Sequence, residues 1–511
     1  MTTSKYAICI YKTFSAILNL VMIIKTKIDE IENYLVDASN TKGFCDSVCF
    51  PETVEDIVQV LKEANLKNIP VTVSGNRTGV TGAGVPAGGI VISTEKLNKV
   101  IDVDEQNRCA VVQPGILLSD LEEAVKEKNL FYPPDPTEKS CFIGGNVATN
   151  ASGARTFKYG STRDYILGLE IVLPDGELLT LKRNEIFAKD FYSTLKTAAG
   201  KIIKLELPDY KMPPTKNAAG YYCKKSMDVV DLFIGSEGTL GIVTKIKLKL
   251  LSLPLNEISC ILFFNSEKNA LQFSTEARNE SFQSRKLNSA NTIDATALEL
   301  FDGNSLNFLR DEFSNIPANA KAAIWFEQHC NSDEEALLEK WINLFLKYDG
   351  KEYEAWFAMT EKDKEQIINF RHAISVNVNE YITKNNFRKL GTDAAVPDDK
   401  FIDFYYAIKN EVEKEKLNYV IYGHAGNSHL HLNMLPKTEE EFEKGKLLYK
   451  TICNRAIKLG GTFSAEHGVG KNKREFLLEM YGEEKVNKMR LLKKALDPNY
   501  ILGVGNIFER D

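Results

Sequence analysis

Four of the chain's six histidines fall between residues 424 and 467. Three lie in YGHAGNSHLHLNMLP, residues 422–436, and the fourth completes the pair Glu466-His467 in GGTFSAEHGVGKNKREFL. From Ser428 onward polar and apolar residues alternate with the period of a strand. His429, His431 and Asn433 therefore share one face, and Leu430, Leu432 and Met434 the other. His424, in the loop just upstream, can swing to the polar side. Two imidazoles and one carboxylate with open positions suit a divalent cation. The bland alternative is a surface cluster of histidines without metal, and a His-x-His pair taken alone favours it.

A second kind of chemistry is suggested by glycine. In VTVSGNRTGVTGAGVPAGGIVIST, residues 71–94, Gly75, Gly79, Gly82 and Gly84 let the backbone curl so that successive N–H groups converge on a diphosphate. Thr78 and Thr81 add hydroxyl donors, and Arg77 adds charge. The segment is neither a Walker A loop nor a Rossmann fingerprint, because a strand rather than a helix follows it. A plain glycine-rich β-turn is the alternative. A second loop, IGGNVATNASGA, carries Gly144, Gly145, Asn146, Thr149, Asn150 and Gly153 within ten residues. Small residues there let the chain pass close to a flat ring or a ribityl chain, while Asn and Thr serve polar edges. YPPDP, with Pro134, joins the two loops. GSEGTLGIVT at 235–244 follows, with Glu237, Gly241 and Ile242.

Taken together, these segments resemble the FAD-linked oxidases of the vanillyl-alcohol-oxidase/PCMH superfamily, from about residue 45 to 508. Within it they are most similar to the branch of D-lactate, glycolate and D-2-hydroxyglutarate dehydrogenases. The resemblance implies an α+β fold with a PCMH-type FAD-binding domain of two α+β subdomains over 45–250. It also implies a substrate-binding cap over 251–460, with an antiparallel sheet flanked by helices, and a C-terminal segment, 461–511, returning to the FAD domain. An N-terminal segment and helix occupy 1–44. The first loop would hold the pyrophosphate, and GGNVATN and GSEGTLG the rest of the cofactor. Several relatives tether the flavin through a histidine in the first loop. Here Asn76 stands in its place and no histidine precedes His329, so FAD is expected to be non-covalent.

In that branch the positions matching His424, His431 and Glu466 ligate a metal, commonly zinc, iron or manganese. The usual Asp-Gly-Asn is replaced here by Asn427-Ser428-His429, leaving His429 as a bystander, a group behind the ligands or an extra ligand. The implied reaction is oxidation of a small D-2-hydroxy acid to the 2-oxo acid by hydride transfer to flavin N5. A cation would chelate the substrate's hydroxyl and carboxylate and acidify the hydroxyl. His467 is the candidate base, since imidazole ordinarily titrates at ~6.5. Asn433 would polarise the substrate oxygen. Arg371, in INFRHAIS, matches an arginine that grips the carboxylate, a planar fork suiting that group; the alternative is a helix-surface arginine. Relatives acting on larger diacids often carry a lysine two residues before the aspartate of GTDAAVP. Gly391 holds that place here, which favours D-lactate or glycolate over D-2-hydroxyglutarate, although Lys389 could substitute. The ending ALDPNYILGVGNIF has Gly503 to Asn506 where relatives have Asn-Pro-Gly-Lys, so Asn506 is placed at the flavin with altered contacts.

No iron–sulfur cysteine motif is present, so electrons would leave to a separate quinone, cytochrome, electron-transfer flavoprotein or oxygen. Rival readings are a metal hydrolase on the same His/Glu set, a flavin electron-transfer subunit without its own substrate, and an alkyl-transfer relative of the same fold. The first leaves two glycine-rich loops unused. The last would need a different histidine-rich signature.

Several elements must carry these groups. A helix over Ile28–Leu35 and one capped by Thr53 in PETVEDIVQVLKEANLKN precede the strand around Val71-Thr72-Val73. Strands GGIVIST and CAVVQPG, helix LLSDLEEAVKEKN, and a hairpin turned at Asp175-Gly176 in GLEIVLPDGELLTL follow. Residues 184–225, irregular and rich in Lys and Pro, read as an insertion or lid. After Pro254 longer amphipathic helices alternate with strands, which marks the main boundary.

A chain of 511 residues exceeds one ordinary core. Its net charge of −6 has mixed signs and no Lys/Arg-rich block, which argues against nucleic acid. Nine cysteines are scattered, and the spacing of Cys45 and Cys49 fits neither a zinc knuckle nor CxxC, so reduced thiols in the cytoplasm are expected. Residues 6–24 are largely apolar but broken by Lys12, Thr13, Ser15 and Asn19. Three readings stand: a foldable chain starting at Met22, a membrane anchor, or a peripheral membrane contact.

Overall fold

The computed structural model describes residues 22–289, 291–331 and 334–509. The expectations for residues 1–21 lie outside these. Thr53 starts the first long helix, Val54–Lys67. Its hydroxyl accepts the Asp56 N–H, while the Asp56 carboxylate accepts the N–H of Thr53. Ile57, Val60, Leu61 and Ala64 recur at helical spacing and are buried. They cover a four-stranded sheet in the order Ile23–Lys25, Ser47–Phe50, Ile90–Ser93, Val71–Ser74. The last three strands are parallel, so Val71–Ser74 delivers the first glycine-rich segment at the carboxyl edge, where such sheets bind ligands. The chain's end returns to this strand: Val71 N–H donates to Ile501 O and Gly503 N–H to Val71 O.

A five-stranded antiparallel sheet forms the second half of this α+β unit, in the order Val100–Asp104, Cys109–Val112, Ile242–Lys249, Ile166–Val172, Leu178–Lys182. Its last hairpin turns at Asp175-Gly176, with Gly176 at φ +82°. A third sheet of eight strands runs Ala355–Phe357, Asn256–Phe264, Ala322–Cys330, Ala297–Asp302, Tyr419–Gly423, His429–Met434, Leu390–Gly391, with Ala394–Ala395 also paired to His429–Met434. All its pairings are antiparallel. Both faces are covered. Ile324 and Phe326 pack with Phe273 and Trp341 on one side, while Ala323 and Trp325 pack with Ile367 and Phe370 on the other. Strands buried on both faces read as continuous apolar runs, as ILFF and AAIWF do.

Three expectations are corrected. The helix over Ile28–Leu35 is one α-turn, Ile28–Ile31, followed by a 3-10 turn, Glu32–Tyr34. Its buried residues, Ile31 and Tyr34, are three apart, and a 3-10 turn aligns that spacing. The GGNVATN loop is a helix, Ile143–Thr149, ended by Asn150 in the left-handed region at φ +51°. Burial of Ile143 and Val147 offsets the roughly 1 kcal/mol that each interior glycine costs. Residues 184–225 are not a lid. They contain the hairpin Tyr192–Lys196/Ile202–Glu206, and Leu195, Leu205, Leu207, Tyr210, Tyr221 and Cys223 are buried in the core beneath the five-stranded sheet. Among the described residues no helix is long and apolar enough to cross a membrane.

Candidate active site

A cavity of about 1160 Å³ draws its lining from all three large sheets. One wall is bare backbone. Among the described residues, a Cβ added to Gly84 or Gly145 would meet no atom within 4 Å, and at Gly75 and Gly79 the nearest atoms stand at 3.8 and 3.9 Å. Asn146 borders this space, its amide beside the Cys141 thiol. Thr78 and Ile242 also border the cavity. Asn76 does too, with its amide donating to Ser140 O at 2.7 Å. The Thr149 hydroxyl donates to Gly145 O at 3.0 Å, and that of Thr81 to His467 O at 3.3 Å. Arg77 places its guanidinium 4.6 Å above the Tyr34 ring.

The glycines divide by cause. Gly144, Gly153 and Gly241 border the cavity, but protein packing makes them small. Their Cβ atoms would come within 2.5 Å of Pro114 Cβ, 1.8 Å of Asp135 O and 2.4 Å of Ile171 Cγ2 respectively. Pro134, Asn150 and Asn506 do not line the cavity. Pro134 is buried. Asn150 caps its helix and accepts the Arg163 N–H at 2.9 Å. Asn506 is a brace: its Nδ2 donates to Ala83 O and Glu237 O, tying the first loop to the GSEG turn. Glu237 lines the cavity, but its carboxylate accepts the N–H groups of Val469 and Gly470 at 2.7 and 2.6 Å. Burial pushes its carboxyl up to about 7.

The facing wall is polar. His429, His431 and Asn433 do share a face of the strand His429–Met434, and His424 joins them from the preceding strand's end. The ring centroids of His424, His429 and His431 are 4.4 to 5.6 Å apart. His424 Nε2 is 3.2 Å from Glu466 Oε1, and His431 Nε2 is 3.7 Å from Glu466 Oε2. Their other nitrogens are held from behind: His424 Nδ1 by Glu299 at 2.7 Å, His431 Nδ1 by Thr392 O at 3.0 Å. That fixes each ring with Nε2 toward the carboxylate, the arrangement in which histidines ligate metals. Burial, then the neighbouring imidazoles, holds His431 well below the usual imidazole pKa, which keeps its lone pair available. One ligand atom each from His424, His429, His431 and Glu466 lies within 4.8 Å of the others. The donor set fits a divalent cation, and the bare glycine wall fits a flat cofactor approached by backbone.

His467 is the most exposed of the group, its Nδ1 3.1 Å from Asp393 Oδ2. Arg371 is no helix-surface residue. It is buried on Glu361–Lys384, with Nε and Nη2 each 3.2 Å from Glu299. Burial raises the Glu299 carboxyl, but Arg371 and His424 outweigh it and hold it ionised. Asn433 is buried beside the Tyr422 hydroxyl and lines the cavity. Gly391 makes room for it, since a Cβ there would fall 2.4 Å from Asn433 Oδ1.

Three contributors escaped the sequence reading. Glu299 links Arg371 to His424. Asp393, 1% exposed, accepts from Ser464, Lys473 and the backbone of Glu466 and His467, and stands 3.0 Å from His429 Nε2. Lys216 pairs with Glu466 from within the supposed lid. Nothing in the spacing of these residues marked them.

Residues 45–182 match the family described as FAD binding domain, and residues 271–507 match FAD linked oxidases, C-terminal domain. The chain is 30% identical over 479 residues to the glycolate oxidase subunit GlcD of Bacillus subtilis, covering 91% of this chain and 89% of that protein. It is 30% identical over 459 residues to a D-lactate dehydrogenase of Anaerostipes hadrus, covering 89% and 88%. It is 28% identical over 488 residues to a D-2-hydroxyglutarate dehydrogenase of Stutzerimonas stutzeri, covering 92% of each. A solved alkyldihydroxyacetonephosphate synthase shares the fold, with a TM-score of 0.61 at 16% identity over 94% of this chain and 81% of that one. The chain belongs to the FAD-linked oxidases, as an oxidoreductase of the branch holding D-lactate, glycolate and D-2-hydroxyglutarate dehydrogenases.

Proposed function

We propose that this protein oxidises a small D-2-hydroxy acid, D-lactate or glycolate, to the 2-oxo acid, with non-covalent FAD and a divalent cation, zinc, iron or manganese, at His424, His431 and Glu466. The supporting observation is that a two-imidazole, one-carboxylate set, His467 backed by Asp393, and Asn433 face one cavity whose other wall is glycine backbone. When bound, FAD supplies the two-electron oxidant and the cation a positive centre for the substrate's hydroxyl and carboxylate.

The chain's own groups do the rest. Asp393 holds Nδ1 of His467, leaving Nε2 to take the hydroxyl proton. Asn433 offers the substrate oxygen an amide N–H from beside the Tyr422 hydroxyl. Arg371 commits two donors to Glu299 and keeps Nη1 for the carboxylate. We divide the chain into a FAD-binding domain at 45–250, a cap at 251–460 and a returning segment from 461. The acceptor is a separate carrier: quinone, cytochrome, electron-transfer flavoprotein or oxygen. We place the protein in the cytoplasm.

The test is anaerobic flavin reduction with a panel of D- and L-2-hydroxy acids. D-lactate or glycolate should bleach the flavin absorbance, and a flavin inert to the whole panel would leave an electron-transfer subunit. One observation favours a larger diacid. Lys389 lines the cavity over Gly391, is exposed, and donates to Asn379 Oδ1 at 3.1 Å. Faster reduction by D-2-hydroxyglutarate than by D-lactate would decide for that reading.

A further inference from the structure

We propose that Lys471 is a cofactor-positioning residue whose ammonium supplies the positive charge behind the FAD diphosphate, an inference resting on the reading that residues 75–84 cradle that group. The first loop is braced from behind by residues 470–472. Thr81 O accepts the N–H groups of both Lys471 and Asn472, and a Cβ on Gly470 would lie 2.1 Å from that same oxygen. The Lys471 ammonium then donates to Gly82 O at 3.3 Å and to Asn506 Oδ1 at 2.6 Å. Both acceptors are uncharged. Asn506 in turn donates to Ala83 O, so the lysine and this amide together grip the back of residues 82–83. On the front, Ala83 and Gly84 border the cavity, and among the described residues no atom stands within 4 Å of a Cβ on Gly84.

The two carboxylates that act on Lys471 at longer range are committed elsewhere. Glu237 accepts from Val469 and Gly470, and Asp37 from Gly82 and Ser39. Burial raises both carboxyls, that of Glu237 to about 7, which weakens them as counter-charges. Burial also pushes the lysine down to about 8. A half-buried ammonium facing neutral oxygens, with the Arg474 guanidinium acting on it as well, favours an anion nearby. The anion that the loop in front of it would receive is a diphosphate. A lysine acting only as a brace would need its hydrogen bonds but not its charge.

Flavin affinity separates these roles. Full-length Lys471→Met and Lys471→Arg would be titrated with FAD and with riboflavin, which lacks the diphosphate, following flavin fluorescence. Lys471→Met should weaken FAD roughly ten- to fifty-fold, the scale of one partly screened charge pair, and leave riboflavin within about twofold. Lys471→Arg should keep most of the FAD affinity. Parallel loss of both flavins in Lys471→Met, or unchanged binding of both, overturns the proposal. Should Lys471→Met not fold, the same comparison in Lys471→Gln decides. A wild type that binds neither flavin removes the cofactor reading as well. A wild type that favours FAD while Lys471→Met keeps the same preference removes only the role of Lys471.

Discussion

Gly144 and Gly145 are neighbours on one helix, yet their replacement should fail in opposite ways. A Cβ on Gly144 would sit 2.5 Å from Pro114 Cβ and 2.9 Å from Pro114 O, atoms of a rigid ring and its backbone. Overpacking of this kind costs about 1–3 kcal/mol, against a helix-propensity gain of about 1 kcal/mol for Gly→Ala. Gly144→Ala should therefore be no more stable than wild type, and up to about 2 kcal/mol less so. A Cβ on Gly145 meets no protein atom within 4 Å, so Gly145→Ala in the flavin-free protein gains the propensity term with nothing to offset it. Its melting point should stay level or rise slightly. The same methyl projects where the cofactor is placed, so FAD affinity should fall, and Gly145→Leu should abolish retention. Two measurements suffice: thermal melting of the flavin-free variants, and flavin absorbance retained after gel filtration. A Gly145→Leu protein that keeps wild-type FAD would show that this helix does not face the flavin.

The remaining predictions concern the polar wall and the cofactor link. His431→Ala should lose or loosen its cation by metal analysis, whereas His467→Ala should keep cation and FAD but reduce flavin ~10²–10⁴-fold more slowly under anaerobic stopped flow. Full metal and full rate in His431→Ala would end the metal-site reading. Asp393→Asn should destabilise the fold by about 3–5 kcal/mol, because Lys473 would be left as a buried, unpaired charge, and an unchanged melting point would contradict this. Glu237 ionises at about 7 when folded against an ordinary 4.5. Its contribution is thus fully present below pH 4.5 and lost as pH rises through 7, so wild type should lose about 3 kcal/mol relative to Glu237→Gln across that window. Parallel pH–stability curves for the two proteins would refute it. FAD should leave intact into the supernatant on acid or heat treatment, and fluorescence remaining with the denatured polypeptide would disprove non-covalent binding.

Much of the site was legible without a structure. The alternation from Ser428 to Met434 placed His429, His431 and Asn433 on one face, because a strand's side chains alternate whatever it packs against. The strand after the first glycine-rich segment excluded a Rossmann loop, and Thr53 marked its helix start. These features depend on neighbours within a few residues. Other features depended on distant ones. Gly144 and Gly145 are the same residue in the same helix, and only the proximity of Pro114 separates a packing glycine from one that faces the cavity. Lys216 pairs with Glu466 across 250 positions, and Glu299 holds His424 across 125. Leu205, Leu207 and Tyr221 looked like parts of a loose insertion until the helix Arg474–Leu496 and the five-stranded sheet were brought against them. Local periodicity determines which side of an element a group occupies. Which partner waits on that side, and so whether a carboxylate meets an arginine, a histidine or a cation, is decided only when the sheets close around one cavity.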